Sequence, residues 1–453
     1  MSAHQRRHPR RKRALAGSLA VTDWISAPAG PLRGELRVPG DKSISHRAIM
    51  LAALAAGTTR IKGFLEGEDT IATARAFAGM GVRIEALQSS ERIVHGVGLY
   101  GLHEPDAAVD CGNAGTGLRL LAGLLAGQQF DSTLTGDESL SRRPMRRVID
   151  PLARMGAKIY AREGGLPPLQ ICGKRTLCGI DYALPVASAQ VKSAILLAGL
   201  YARGETFVHE PHPTRDYTER MLSAFGWPME FGAGWAKLSG GHRMRATDIV
   251  VPADFSSAAF FLVAATVVPD SELLLRDVGV NPRRTGLLHV LRAMGADIRA
   301  TNARESGGEP VADLIVRHAP LHGIDVPIEH VADMIDEFPI LFIAAAAAQG
   351  STRVLGAAEL RVKESDRIAV MAQGLRALGI DVAETPDGAV IEGGELTRAE
   401  VDSAGDHRCA MSFAVAGVIA RGPVRIRDCA NVATSFPGFV ELANTCGFGL
   451  DLA

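Results

Sequence analysis

Arg292–Ile298 reads RAMGADI, and the phrase returns as AGMGVRI at Ala78–Ile84, ARMGAKI at Ala153–Ile159 and RALGIDV at Arg376–Val382. Each copy joins the end of an Ala- and Leu-rich run to a short β-branched one. The central glycine suits a left-handed helix cap, since it adopts positive φ with no Cβ penalty. The phrase therefore predicts a helix end and then a strand entering a sheet. Its recurrence points to a repeated architectural unit.

Outward from these phrases, six small polar clusters each open another helix-length run. They are GDKSISHR (Gly40–Arg47), GNAGTG (Gly112–Gly117), SAQVKS (Ser188–Ser193), DFSSAAF (Asp254–Phe260), DMIDEFP (Asp333–Pro339) and DHRCAMS (Asp406–Ser412). Their starts lie about 65–80 residues apart, longer than the roughly 20–50 residues of a solenoid repeat. Each unit holds two helices and several strands, an α/β pattern. Three units make a compact domain of roughly 200 residues, so six predict two domains divided near residue 250. Arg33–Pro39 reads as a lone strand able to join either half.

The 453 residues carry 49 Lys+Arg against 50 Asp+Glu, but the balance is uneven. Arg6, Arg7, Arg10, Arg11, Lys12 and Arg13 crowd the start, leaving 43 positive and 50 negative charges on the rest. Residues 1–24 are expected to be a disordered basic tail, with an organellar transit peptide as the alternative. Only 5% of residues are aromatic and 49 are Gly, which suits thin-sided helices on sheets and excludes disorder, collagen and coiled coil. The most apolar stretch, Ala258–Val268, is about half of the roughly 20 residues a membrane span needs. The six cysteines show no zinc spacing and read as reduced thiols, so a cytoplasmic setting is expected. Cys111 reads as packing.

Ser, Asp, Asn and Gly are ordinary N-caps, which accounts for any one cluster by itself. Several clusters also carry residues that capping does not require: Lys42, Arg47, Arg119, Gln190, Lys192, His407 and Arg408. Helix N-termini supplied with cations make anion sites. Six of them facing one cleft would hold a polyanionic substrate. SRRPMRR (Ser141–Arg147) adds Arg142 and Arg143, and RVKESDR (Arg361–Arg367) adds Lys363, Glu364 and Arg367. If RVKESDR is helical, Lys363 and Arg367 are i,i+4 neighbours on an exposed salt-bridged face.

The ordered motifs GDKSISHRAIMLAALAAGTTRI, GNAGTGLRL, SLSRRPM, SAQVKSAILLAG, LRVKESDR, DHRCAMSFAV and ATSFPGF resemble the EPSP synthase family, the 3-phosphoshikimate 1-carboxyvinyltransferases. GDKS and SAQVK are more similar to class II members than to class I. The resemblance implies a two-domain inverse α/β barrel with three βαβαββ units per domain. Residues 25–40 plus 252–453 would form one domain and residues 41–251 the other, with the active site in the cleft between them. The implied reaction moves the enolpyruvyl group of phosphoenolpyruvate to the 5-hydroxyl of shikimate 3-phosphate. No metal or organic cofactor is implied, nor any nucleic acid or membrane partner, and the chain is expected to be a monomer.

Carried over motif by motif, the resemblance implies Lys42, Asp336 and Glu364 as catalytic groups. It assigns Lys42, Ser43, Arg47, Ser188, Ala189, Gln190, Arg215, Asp336 and Lys363 to shikimate 3-phosphate. It assigns Lys42, Asn113, Gly115, Arg143, Gln190, Arg367 and Arg408 to phosphoenolpyruvate. Thr434, Tyr217 and Arg283 depart from residues common in the family, which are Lys, His and Thr respectively. Gly115, where Ala accompanies glyphosate tolerance, implies inhibition by glyphosate in competition with phosphoenolpyruvate. A UDP-N-acetylglucosamine enolpyruvyl transferase and a non-catalytic anion-binding protein on the same fold are the alternatives. The mobile-loop Cys usual in the former is missing from SRRPMRR.

Overall fold

The computed structural model describes residues 22–88 and 90–453. Most of the expected basic tail lies outside them. Asp23 and Trp24, which that expectation included, instead belong to the fold. Asp23 pairs with Arg425 at 2.8 Å, and Trp24 is buried in the strand Trp24–Ala27.

The helix-end phrase is built the same way in all six units. After each second helix the backbone N–H two residues past the last buried cap residue bonds a carbonyl five positions back. The bonds are Val82 to Phe77, Ala157 to Leu152, Trp227 to Leu222, Ala296 to Leu291, Ile380 to Leu375 and Phe448 to Ala443, at 2.9–3.2 Å. Gly81, Gly156, Gly226, Gly295, Gly379 and Gly447 supply positive φ at the turn. This is the Schellman geometry, which satisfies carbonyls that a helix end leaves open. The third and sixth copies, AFGW and TCGF, were hidden in the sequence because their residues differ.

The second unit shows the common plan. The strand Val109–Asp110, helix Gly115–Ala126, strand Ser132–Thr135 and helix Arg146–Arg154 precede a hairpin, Lys158–Arg162 with Leu166–Cys172. The first strand lies parallel to the second, and the hairpin completes the sheet antiparallel. Six small sheets follow this order, five four-stranded and one three-stranded.

Three strands are borrowed from far along the chain. Ile249–Val250 pairs parallel with Ala56–Lys62 of the first unit. Arg33–Leu36 pairs parallel with Glu272–Gly279 of the fourth, which settles where the lone strand belongs. Trp24–Ala27 inserts between Val424–Arg427 and Gly449–Leu452 of the sixth. Burial divides accordingly into two hydrophobic cores. One runs from Trp24 to Val38 and from Ala253 to Leu450, the other from Ile44 to Val251. Where the chain passes between them, the two segments run side by side. Asp41 N–H donates to Pro252 O at 2.8 Å and Asp254 N–H to Pro39 O at 2.9 Å.

The helix opening each unit is buried around most of its circumference, as a helix enclosed by others must be. Phe255–Val267, the apolar stretch marked in the sequence, is buried through Thr266. Gly115–Ala126 packs on Ala189–Gly199 so closely that a Cβ at Gly123 would stand 2.1 Å from Ala194 O. No helix among the described residues is long and apolar enough to cross a membrane.

Candidate active site

Residues at, or within two positions before, the start of each of the six opening helices line one cavity. Four of these helices are capped by their own clusters: Asp41 accepts from Ile44 N–H, Ser188 from Val191, Asp254 from Ser257 and Asp406 from Arg408. The cavity, of about 830 Å³, lies between the halves and is lined from both sides. Of the expected residues, Lys42, Ser43, Asn113, Gly115, Arg143, Ser188, Ala189, Gln190, Arg215, Asp336, Lys363, Glu364, Arg367 and Arg408 all line it.

Arg47 is the exception. Its side chain is buried, donating to Thr218 Oγ1 at 2.7 Å, Ser193 Oγ at 2.9 Å and Ser43 O at 3.0 Å. It ties the first turn of Lys42–Leu54 to the two neighbouring helices, and burial lowers its pKa to about 10. Lys192 also stays out of the cavity, paired with Glu210 and Glu219. Arg142 is exposed beside Glu138.

RVKESDR is not one helical face. A 3₁₀ turn ends at Val362, Lys363 has ψ near −148°, and the next helix starts at Arg367 behind the Asp366 cap. The break turns Lys363, Glu364 and Arg367 inward together. Arg367 reaches Asp406 at 2.8 Å, Glu364 at 2.6 Å and Asp336 at 3.5 Å. Lys363 stands 3.6 Å from Asp336 and 3.2 Å from Glu359.

Among the described residues, three ion pairs between cavity-lining side chains join the halves: Arg143 to Glu364 at 3.2 Å, Arg215 to Asp336 at 3.2 Å and Arg147 to Glu359 at 3.9 Å. Arg220 meets Glu309 at 4.0 Å outside the cavity. Asn113 accepts from Arg143 at 2.7 Å, and Gln190 links Arg119 to Thr116 at 2.8 Å on each side. Lys42 meets Asp69 at 2.5 Å. Arg284, unmarked in the sequence, is buried with Glu337 at 3.1 Å and Asp336 at 3.8 Å. Arg147 and Arg283 also line the cavity. Arg147 closes the SRRPMRR stretch whose Arg142 and Arg143 were already suspected, and Arg283, marked in the sequence only as a departure from the family, directly precedes Arg284.

Burial alone would raise the Asp336 carboxyl, but Lys363, Arg408, Arg215 and Arg284 together hold it well below the usual range. Glu364 behaves likewise, its burial outweighed by Arg367 and Arg143. Burial and Lys42 push His407 down to about 3, so its imidazole is neutral. Burial pushes the Cys111 thiol up to about 12, consistent with packing. Thr434 is buried and donates to Asn431 O, while Ser435 lines the cavity. The described residues contain no group of three or more His, Cys, Asp or Glu placed to hold a metal. The arrangement offers an anion-binding floor in which Asp336 and Glu364 stand as ionised carboxylates among the cations.

The fold is one shared with a solved structure of low sequence identity. The chain superposes on the enolpyruvyl transferase NikO from Streptomyces tendae with a TM-score of 0.76 at 17% identity, covering 96% of this chain and 99% of that one. Within that fold the sequence is decisive. Residues 27–442 match the family model for EPSP synthase (3-phosphoshikimate 1-carboxyvinyltransferase), and the chain belongs to that family. A 3-phosphoshikimate 1-carboxyvinyltransferase of Xanthomonas oryzae pv. oryzae is 66% identical over 430 residues, 95% of this chain and 98% of the relative. One from Xanthomonas campestris pv. campestris is 66% identical over 433 residues, covering 96% and 99%. The crystal structure of EPSP synthase from Acinetobacter baumannii matches with a TM-score of 0.87 and 51% identity, over 95% of this chain and all of that one.

Proposed function

We propose that the chain transfers the enolpyruvyl group of phosphoenolpyruvate to the 5-hydroxyl of shikimate 3-phosphate, releasing phosphate. The observation that carries this reading is one cavity in which cations from both halves surround two ionised carboxylates. The two substrates bring two phosphates and two carboxylates, and cation-rich sites bind such groups through charge-assisted hydrogen bonds.

Shikimate 3-phosphate lies against Ser43, Ser188, Ala189, Gln190, Arg215 and Lys363, with Arg47 holding the helices that carry the first four. Phosphoenolpyruvate lies against Asn113, Gly115, Arg143, Arg367 and Arg408. Asp336 takes the proton of the 5-hydroxyl as its oxygen bonds C2 of phosphoenolpyruvate. A proton delivered to C3 completes the addition, giving a tetrahedral intermediate. Glu364 then removes a proton from that methyl group, the C2–O bond to phosphate breaks, and phosphate leaves.

Glu364 is suited to both proton transfers by its partners. Arg143 and Arg367 hold it ionised. An incoming anion that takes those arginines removes the charges lowering its pKa and adds a like charge, which raises it. Glu364 thus gains a proton as phosphoenolpyruvate binds. Lys42 stabilises the negative charge that grows on the phosphate oxygen as the C2–O bond breaks, in a site that closure of the halves dries.

The same reading divides the chain into two domains, residues 25–40 plus 252–453 and residues 41–251, hinged at the paired crossing segments. It treats the enzyme as a cytoplasmic monomer and glyphosate as a competitor of phosphoenolpyruvate. Phosphate release that requires both substrates, measured on the purified chain, tests the reaction; release without shikimate 3-phosphate would contradict it.

A further inference from the structure

The SAQVKS cluster holds a lysine that the reaction does not use. Lys192 is 2% exposed, yet its ammonium lies 2.8 Å from Glu210 and 2.7 Å from Glu219. Burial opposes its charge, and the two carboxylates restore it. A buried ammonium shared by two carboxylates adds little net stability, because desolvation offsets the attraction. An apolar side chain would fill the space as well. The ion cluster is explained better by what it connects.

Lys192 sits one turn below Ser188, Ala189 and Gln190. Glu210 begins the segment that runs from the strand Glu205–His209 to the helix Tyr217–Ala224. The same Glu210 carboxylate that meets Lys192 also accepts from Thr214 N–H at 3.3 Å and from the Thr214 hydroxyl. Thr214 adjoins Arg215, whose guanidinium reaches Asp336 across the cleft. Glu219 lies in the first turn of the following helix. One ammonium therefore fixes the SAQ helix, both ends of the Arg215 segment and the helix after it in a common frame.

We infer that Lys192 is a positioning residue for shikimate 3-phosphate, setting through Glu210 and Thr214 where Arg215 stands relative to Ser188–Gln190. The inference rests on the proposed reaction. Apart from Gln190, which is assigned to both substrates, the residues assigned to phosphoenolpyruvate stand on other elements, so the effect falls mainly on shikimate 3-phosphate.

The test compares wild type, Lys192→Met, Glu219→Gln and Thr214→Val. It uses calorimetric binding of shikimate 3-phosphate and steady-state kinetics in both substrates. Lys192→Met and Thr214→Val weaken shikimate 3-phosphate binding and raise its KM by about tenfold or more, as loss of a charge-assisted contact does. The KM for phosphoenolpyruvate changes less than about threefold on the same scale. Glu219→Gln keeps the Lys192–Glu210–Thr214 chain and leaves shikimate 3-phosphate binding at the wild-type level, whatever it does to the melting temperature. Should Lys192→Met fail to fold, Thr214→Val alone decides the outcome. Wild-type binding in both Lys192→Met and Thr214→Val, or in Thr214→Val alone where only it folds, overturns the inference and leaves the reaction standing. Equal losses for both substrates also overturn it. A wild-type chain that does not bind shikimate 3-phosphate overturns the reaction and the inference together.

Discussion

Glu364→Gln separates chemistry from binding at the centre of the site. The substitution keeps the side chain's shape and removes its charge and its proton. In the structure Glu364 is 3.2 Å from Arg143 and 2.6 Å from Arg367. Neither arginine is orphaned by the change. Arg143 keeps Asn113 at 2.7 Å, and Arg367 keeps Asp406 at 2.8 Å. The fold should hold, with a melting midpoint moved by no more than a few degrees. A positioned acid or base contributes about 10²–10⁴-fold. Turnover should therefore fall by that factor, about 2.7–5.5 kcal/mol on the barrier. The KM for phosphoenolpyruvate should not rise, since two arginines are freed for its anionic groups. The assay is phosphate release at saturating shikimate 3-phosphate, with phosphoenolpyruvate varied. Turnover within about threefold of wild type would refute the proton-transfer role. A raised KM with unchanged turnover would instead make Glu364 a binding group.

Three further perturbations probe the site, the junction and the core. A Cβ at Gly115 would stand 3.1 Å from the tips of both Arg119 and Arg143, so Gly115→Ala should fold normally and weaken glyphosate inhibition more than it raises the KM for phosphoenolpyruvate; unchanged inhibition would count against the assigned pocket. Burial raises Glu309 from 4.5 to about 8, near Asn281 and Asp216 at the junction of the halves. The folded state then binds the extra proton, so this group costs stability as pH rises from its unfolded value through about 8. Glu309→Gln should flatten that loss between about pH 5 and 8 in urea titrations, and an unchanged slope would contradict the assignment. Gly123→Ala drives a methyl into the backbone of Ala194, which cannot swing away, and should cost about 1–3 kcal/mol; an unaltered denaturation midpoint would show that the helices separate freely.

The repeat was legible wherever its letters were retained. Four helix-end phrases kept Met or Leu before the glycine. The other two use Phe225 and Cys446, which bury equally well in the same turn, so the geometry persisted where the spelling did not. The strand at Trp24–Ala27 escaped notice because only four residues form it, and its partners lie some 400 positions away. Local pattern carries no information about such pairing. Among the cations, proximity to a helix start marked Lys42, Arg119 and Arg408, which line the cavity, and also Arg47 and Lys192, which do not. The difference lies in the helical angle: Lys192 faces inward to Glu210 and Glu219, partners distant in sequence. Arg284 was overlooked for the converse reason. Nothing beside it in the sequence reveals that Glu337 and Asp336 fold back against it.

The central claim is that one cleft brings phosphoenolpyruvate and shikimate 3-phosphate together for enolpyruvyl transfer. Purified chain incubated with both should yield one phosphate for each 5-enolpyruvylshikimate 3-phosphate detected by mass, and none when either substrate is left out. Phosphate released with UDP-N-acetylglucosamine in place of shikimate 3-phosphate, or no release with either acceptor, would contradict the account.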